Sequence, residues 1–552
     1  MVRKKCGMTR RNANQRPSTV RWIRRRMDAL ELGLQRRPLL STVTRRLRVA
    51  MRWVVRRFLP GALKRPELAQ ARAVMADAPQ QPISGPRVLF MTFRAFTTPV
   101  AWDTTIAQAL RLRGARCEFF YCGGGLPICE IGWPREEAER PCQSCGPYVA
   151  GMLEAAGFPR RSLSDFISGD ERRAIELEVR RPAHDGTHVV DPIIQQSLMQ
   201  FFRTGTLPET EECGRARDDF RVGAAIMKVV APRLLGEISP DVVVLLNGLL
   251  FEDRIVREEA LARGVRCVSY EAGAQAGTLF LSETRPAGEY DITELWEESG
   301  TESLDEASEH SLATVLSTRR TGAGMPLRYY ARRRTLDKTE YSKLVAVFTN
   351  VSWDLAVTGE MVAFDSMTDW VSETVRIAEC HPDMEFVIRA HPAETRFRGL
   401  ESRERLPDFA RGDTGSLPAN ARLVPAEEAL DSYALIDSAD IVAVFSSTVG
   451  LEAAAVGKPV CVAGKTHYRG RGFTTDVMGT DDYRALFDNL AWTDYDAERH
   501  ASARRYAYLF CTARERWRLP RSKRRVRRRC RHLPPALQAG GLGRASKCHE
   551  CP

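Results

Sequence analysis

No stretch of this 552-residue sequence reaches about 18 consecutive apolar residues free of charge, which argues against a membrane-spanning helix. The Arg-rich beginning is not followed by the apolar run and small-residue cleavage site of a secretory signal. A disulfide framework is therefore not expected from its 14 cysteines. No self-similar unit of the ~20–50-residue kind recurs, so a solenoid or propeller is excluded. No Asp-x-Asp metal motif stands at the end of an expected strand. Disorder throughout is excluded too, because 43% of the residues are hydrophobic and can bury a core. At roughly 100–200 residues per domain there is room for two or three domains.

Acidic residues are scarce only at the ends. Residues 1–80 hold 21 Lys/Arg against 4 Asp/Glu, and residues 512–552 hold 13 against 2. The body between them is left with 48 against 64, so the formal charge of +12 belongs to the ends. Nucleic acid is for that reason not an expected partner. Both ends read as disordered, except that 38–60 interleaves Leu47, Val54, Val55 and Phe58 with Arg45, Arg46, Arg52 and Arg56. As a helix that segment would lie on an anionic membrane surface. The expected location is cytoplasmic and peripheral on the inner face of the plasma membrane.

The body alternates strands and helices. Apolar runs at 87–93, 117–121, 241–247 and 266–270 read as strands, with helices at 101–113 and 251–263. The alternation restarts with strands at 343–349, 385–389, 441–445 and 459–462 and helices at 366–380, 426–437 and 449–456. Such β–α–β order implies a doubly wound parallel sheet, here twice. The expected fold class is α/β, with two Rossmann-like lobes facing a central cleft. The lobes span 85–290 and 341–490, joined by a charged connection over 291–340 and completed by a closing helix at 491–511.

In open parallel sheets, ligands sit outside the carboxyl ends of the strands. Four such ends carry chemistry. Arg389-Ala-His391-Pro392 can hold a phosphate by charge and a directed hydrogen bond. Ser446-Ser447-Thr448-Val-Gly450-Leu-Glu452 opens a helix whose N–H groups suit an anion and whose Glu452 can accept from ribose hydroxyls. Thr349-Asn350-Val-Ser352-Trp353-Asp354 is a polar turn able to line the cleft. In the first lobe Glu271, followed by Gly273 and Gly277, can act as a general base. Glu252, Asp253 and Asp103 compete for that role.

Together these stretches, with Gly457-Lys458-Pro459-Val460 and Gly464 through Tyr468-Arg-Gly-Arg-Gly472-Phe473-Thr474, resemble the capsule polysaccharide biosynthesis proteins over roughly 87–490. These are GT-B glycosyltransferases related to bacterial Kdo and sialic-acid transferases. The resemblance implies metal-independent sugar transfer from a nucleotide-activated donor of CMP, UDP or GDP type. The acceptor would be a capsular or exopolysaccharide, or a lipid-linked glycan. It further implies that His391, Ser446 and Ser447 contact the nucleotide and that a first-lobe carboxylate, best Glu271, is the base. Two readings from other classes stay open: a nucleotide-sugar epimerase, and a non-catalytic polysaccharide-assembly or binding protein.

One feature stands apart from that chemistry. Cys122, Cys129, Cys142 and Cys145 follow a C-x6-C-x12-C-x2-C spacing rich in Gly and Pro. Four thiols so close in a non-exported chain can form a structural zinc site or hold an iron–sulfur cluster.

Overall fold

The computed structural model describes residues 84–95, 97–130, 142–181, 191–299, 301–321, 340–354, 362–396, 401–410 and 416–512. The expected leader over 1–80, its amphipathic segment and the basic tail lie outside the described residues. Two α/β lobes follow one another along the chain, each built on a six-stranded sheet.

The first sheet contains β1 (Arg87–Met91), β2 (Arg116–Tyr121), β3 (Arg160–Ser162), β4 (Val242–Leu246), β5 (Arg266–Ala272) and β6 (Leu279–Ser282). Their spatial order is β3-β2-β1-β4-β5-β6. All pairings are parallel except β5 with β6, which closes the edge antiparallel. Continuous apolar runs such as Val-Val-Val-Leu-Leu in β4 belong to a strand covered on both faces. The helices Pro192–Phe202, Glu211–Ile238 and Phe251–Ala262 supply much of that cover, with Phe202, Phe220, Met227, Leu234 and Phe251 in one core with Leu89, Val243 and Leu245. The 28-residue helix among them starts at Thr210, whose hydroxyl accepts from the Cys213 N–H, and ends at Ser239 in the left-handed region. It was not foreseen from the sequence.

The second sheet contains β7 (Lys343–Phe348), β8 (Met384–Arg389), β9 (Ala421–Val424), β10 (Ile441–Val444), β11 (Val460–Val462) and β12 (Thr475–Asp476), in the order β12-β11-β10-β7-β8-β9. The two-residue period of a strand divides β7 cleanly. Val345 and Val347 join Trp370, Val371 and Val375 of the helix Met367–Cys380 on one face. Leu344, Ala346 and Phe348 face a second layer that includes Leu451, Ala503 and Tyr506.

That second layer also takes in residues expected to be connection. Helices Thr293–Glu298 and Glu306–Arg320 lie within 291–340, and Leu312 and Leu316 are buried in the second lobe's core. The last described helix, Ala497–Thr512, packs on them. The lobes touch directly: Gln200 Nε2 donates to the Trp353 carbonyl, and Gly205 N to Ser352 Oγ and Glu404 Oε2. A Cβ at Gly205 would stand 2.9 Å from the Ser352 carbonyl oxygen, so only glycine allows this approach. Among the described residues no helix is long and apolar enough to cross a membrane.

Candidate functional site

In each sheet the strand order reverses direction once, between β1 and β4 in the first and between β7 and β10 in the second. Connections leave such a crossover in opposite directions and open a crevice there. The second crossover brings three of the sequence candidates together. Thr349 donates through both its N–H and its Oγ1 to the Arg389 carbonyl, at 3.1 and 3.2 Å. Ser446 N donates to Asn350 Oδ1 at 3.3 Å. The Ser446 hydroxyl is buried and has no hydrogen-bond partner among the described residues. A polar atom in that position costs free energy unless something arrives to bond it.

His391 sits just beyond β8. Its Nδ1 accepts the Ala393 N–H at 3.1 Å, which places the ring proton on Nε2. Burial and the neighbouring Arg389 charge pull its pKa down to about 4. At neutral pH it is therefore an uncharged hydrogen-bond donor. Ser447 Oγ accepts from Val449 N, and its carbonyl accepts from Tyr468 OH at 2.6 Å. Thr448 is the N-cap residue but makes no side-chain cap bond. Gly450 explains part of the motif: a Cβ there would lie 2.3 Å from Tyr468 Oη and 2.9 Å from Val444.

Two candidates have partners within the protein. Arg389 is 1% exposed and its Nη1 donates to the Pro425 carbonyl, which ties β8 to the chain after β9. Glu452 has both carboxylate oxygens taken, Oε1 by Arg319 at 2.8 Å and Oε2 by Tyr433 OH at 2.6 Å. It fastens the helix Val449–Ala455 to the helix Glu306–Arg320 and does not stand open to a ribose. That short helix thus owes its place to an ion pair the sequence did not reveal.

Of the four first-lobe carboxylates, Glu271 is the one whose field meets the second lobe. Burial raises its pKa, the Ala272 N–H and the Asn247 amide oppose the rise, and the Asp354 charge from the turn after β7 adds to it. Tyr290, whose hydroxyl donates to the Ala272 carbonyl, feels the same two carboxylates. Glu252 and Asp253 instead face Arg94, each at 2.8 Å, with Glu130 at 3.3 Å. Asp103 accepts from Thr92 Oγ1 and Tyr270 OH, and burial lifts it to about 7. These three are internal to the first lobe. Sequence reasoning missed Arg94, Arg319 and Tyr433. Only Arg94 left a signal, standing directly after the first strand.

The comparisons with known proteins can now be set beside this geometry. Residues 307–491 match the family model described as capsule polysaccharide biosynthesis protein. That stretch, 185 of the 552 residues, is where the chain is similar to the family. It holds His391, Asn350 and the Ser446–Gly450 turn, and it begins inside the helix Glu306–Arg320 that supplies Arg319. No curated protein matches the chain. Among solved structures, the KpsC β-Kdo 2,7 transferase of Thermosulfurimonas dismutans is 19% identical over 50% of this chain and 79% of its own, with a TM-score of 0.31. The glycosyltransferase SnogD of Streptomyces nogalater is 16% identical over 78% and 96%, with a TM-score of 0.24. The UDP-GlcNAc 2-epimerase of Neisseria meningitidis is 12% identical over 76% and 98%, also at 0.24. At such identities and scores nothing is drawn from these likenesses.

Proposed function

We propose that the chain transfers a sugar from a nucleotide-activated donor to a capsular or other surface glycan, without a catalytic metal ion. The observation that carries this reading is the junction of Asn350 and Ser446 at the second crossover, with the unpartnered Ser446 hydroxyl buried beside it. The donor's nucleotide would rest there. His391 would give its Nε2 proton as a hydrogen bond to a phosphate oxygen, and Ser447 and Thr448 would line the same turn. As the glycosidic bond to phosphate lengthens, charge grows on the departing phosphate oxygens, and donors fixed in advance stabilise it.

Glu271 is the base in this scheme. It takes the proton of the acceptor hydroxyl as that oxygen attacks the sugar's anomeric carbon. A carboxylate whose pKa has been raised is a stronger base, so the burial that lifts Glu271 serves the step. Asp354, across the lobe boundary, keeps the site negative where the sugar gains oxocarbenium character. An acceptor carried on lipid would bring the protein to a membrane surface, which is where the basic ends are proposed to act.

The test is a thermal-shift screen of the full chain against CMP, UDP, GDP and dTDP. A nucleotide near 100 times its dissociation constant should add about 2.7 kcal/mol of stability, and His391→Ala should abolish most of that gain. No shift with any of the four would remove the reading. An epimerised donor formed without acceptor would replace transfer by epimerisation.

A further inference from the structure

The four spaced cysteines of the first lobe are absorbed by none of this chemistry, yet the fold gathers them. Cys122, Cys129, Cys142 and Cys145 line one pocket, together with Phe93, Leu126 and Glu252. They arrive from different places: Cys122 and Cys129 from the loop after β2, Cys142 and Cys145 from the first turn of the helix Cys142–Ala155. Backbone packing fixes the two parts against each other. A Cβ on Gly124, whose φ is +85°, would stand 3.4 Å from Cys142 Cβ, and one on Gly146 would stand 3.6 Å from Gly123.

All four are free cysteines, each partly buried. Glu252, which also lines the pocket, is 1% exposed, and its Oε1 has no hydrogen-bond partner among the described residues. Cys117 is separate, its thiol directed at the Ala107 carbonyl.

We propose that Cys122, Cys129, Cys142 and Cys145 hold an iron–sulfur cluster in this pocket. A lone zinc ion, with Zn–S bonds of about 2.3 Å, would need its four sulfurs drawn to within about 4 Å of one another. Among the described residues no three His, Cys, Asp or Glu side chains are gathered closely enough to hold a single ion. A cluster brings its own iron and sulfide to the centre, so its cysteines stand farther apart around a cavity. The spacing is neither of the ferredoxin runs, and placement rather than spacing identifies the site. The cluster would pin two segments at the carboxyl edge of the first sheet: the loop after β2 and the start of the helix Cys142–Ala155.

The experiment is iron, acid-labile sulfide and zinc analysis of the full chain purified under nitrogen, before and after reconstitution with ferrous iron and sulfide. Iron and sulfide in near-equal amounts, with visible absorption bleached by dithionite, are expected. Cys129→Ser and Cys145→Ser should lose most of both, while Cys267→Ser, in the core of the same lobe, should keep them. Stoichiometric zinc without sulfide, no metal at all, or full iron retention in both variants overturns the proposal. Should the variants fail to fold, alkylation of the native chain decides: the four thiols should be protected until the cluster is oxidised and chelated. Immediate labelling of all four would end it.

Discussion

In the first lobe the crossover between β1 and β4 is filled by Arg94, buried with Glu130, Glu252 and Asp253 around it. In the second, the crossover between β7 and β10 holds Asn350, an unpartnered Ser446 hydroxyl and a neutral His391 close by. One topology thus supports two electrostatic solutions. The first is closed on itself, a cation balanced by anions that already touch it. The second offers neutral donors, which leave room for an anion to bring the charge. The comparison says which lobe should bind phosphate and which should carry structure and the base.

The largest effect should come from removing the proposed base. Glu271→Gln is expected to lower the transfer rate by about 10²–10⁴-fold while nucleotide binding is retained. In the wild-type enzyme the acid limb of kcat should fall above 4.5, because burial raises this carboxyl. An unchanged rate, or a limb below that value, would separate Glu271 from the chemistry.

Next in size, Arg94→Met should cost about 3–5 kcal/mol in denaturant unfolding, since it strands three buried carboxyls. A cost under about 1 kcal/mol would mean that the first crossover is not closed in the way described.

A separate effect should appear on acidification. His391 falls to about 4 and His467 to about 3 from 6.5, mainly through burial. The unfolded chain takes up these protons first, so stability present above pH 6.5 is lost as pH drops toward 4 and then 3. The double variant His391→Gln, His467→Gln should flatten that slope, and an unaltered slope would show the two rings to be irrelevant to it.

The smallest effect sharpens the contrast. Ser446→Ala removes a hydroxyl with no partner among the described residues, so stability should hold or rise. Nucleotide affinity should drop by about 0.5–1.5 kcal/mol, a few-fold to roughly tenfold in Kd. Loss of stability without loss of affinity would reverse the assignment.

The sequence by itself determined the elements that rest on local pattern. Apolar runs placed β1, β4, β5, β7, β8 and β10 to within about two residues, because a strand covered on both faces must be apolar along its length. Strand ends then pointed to Thr349, Asn350, His391 and Ser446, since parallel sheets gather their ligands there. The 28-residue helix Glu211–Ile238 stayed hidden, its mixed charged and apolar pattern giving no clear start. Tertiary structure alone decided what long-range pairing controls. It turned Glu452 toward Arg319, 133 residues away, and Arg389 into the interior. It drew the supposed connector into the second core, and brought Asp354 within the field of Glu271. A charge's role depends on its nearest partner in space, and no local spacing in a chain this long records who that partner is.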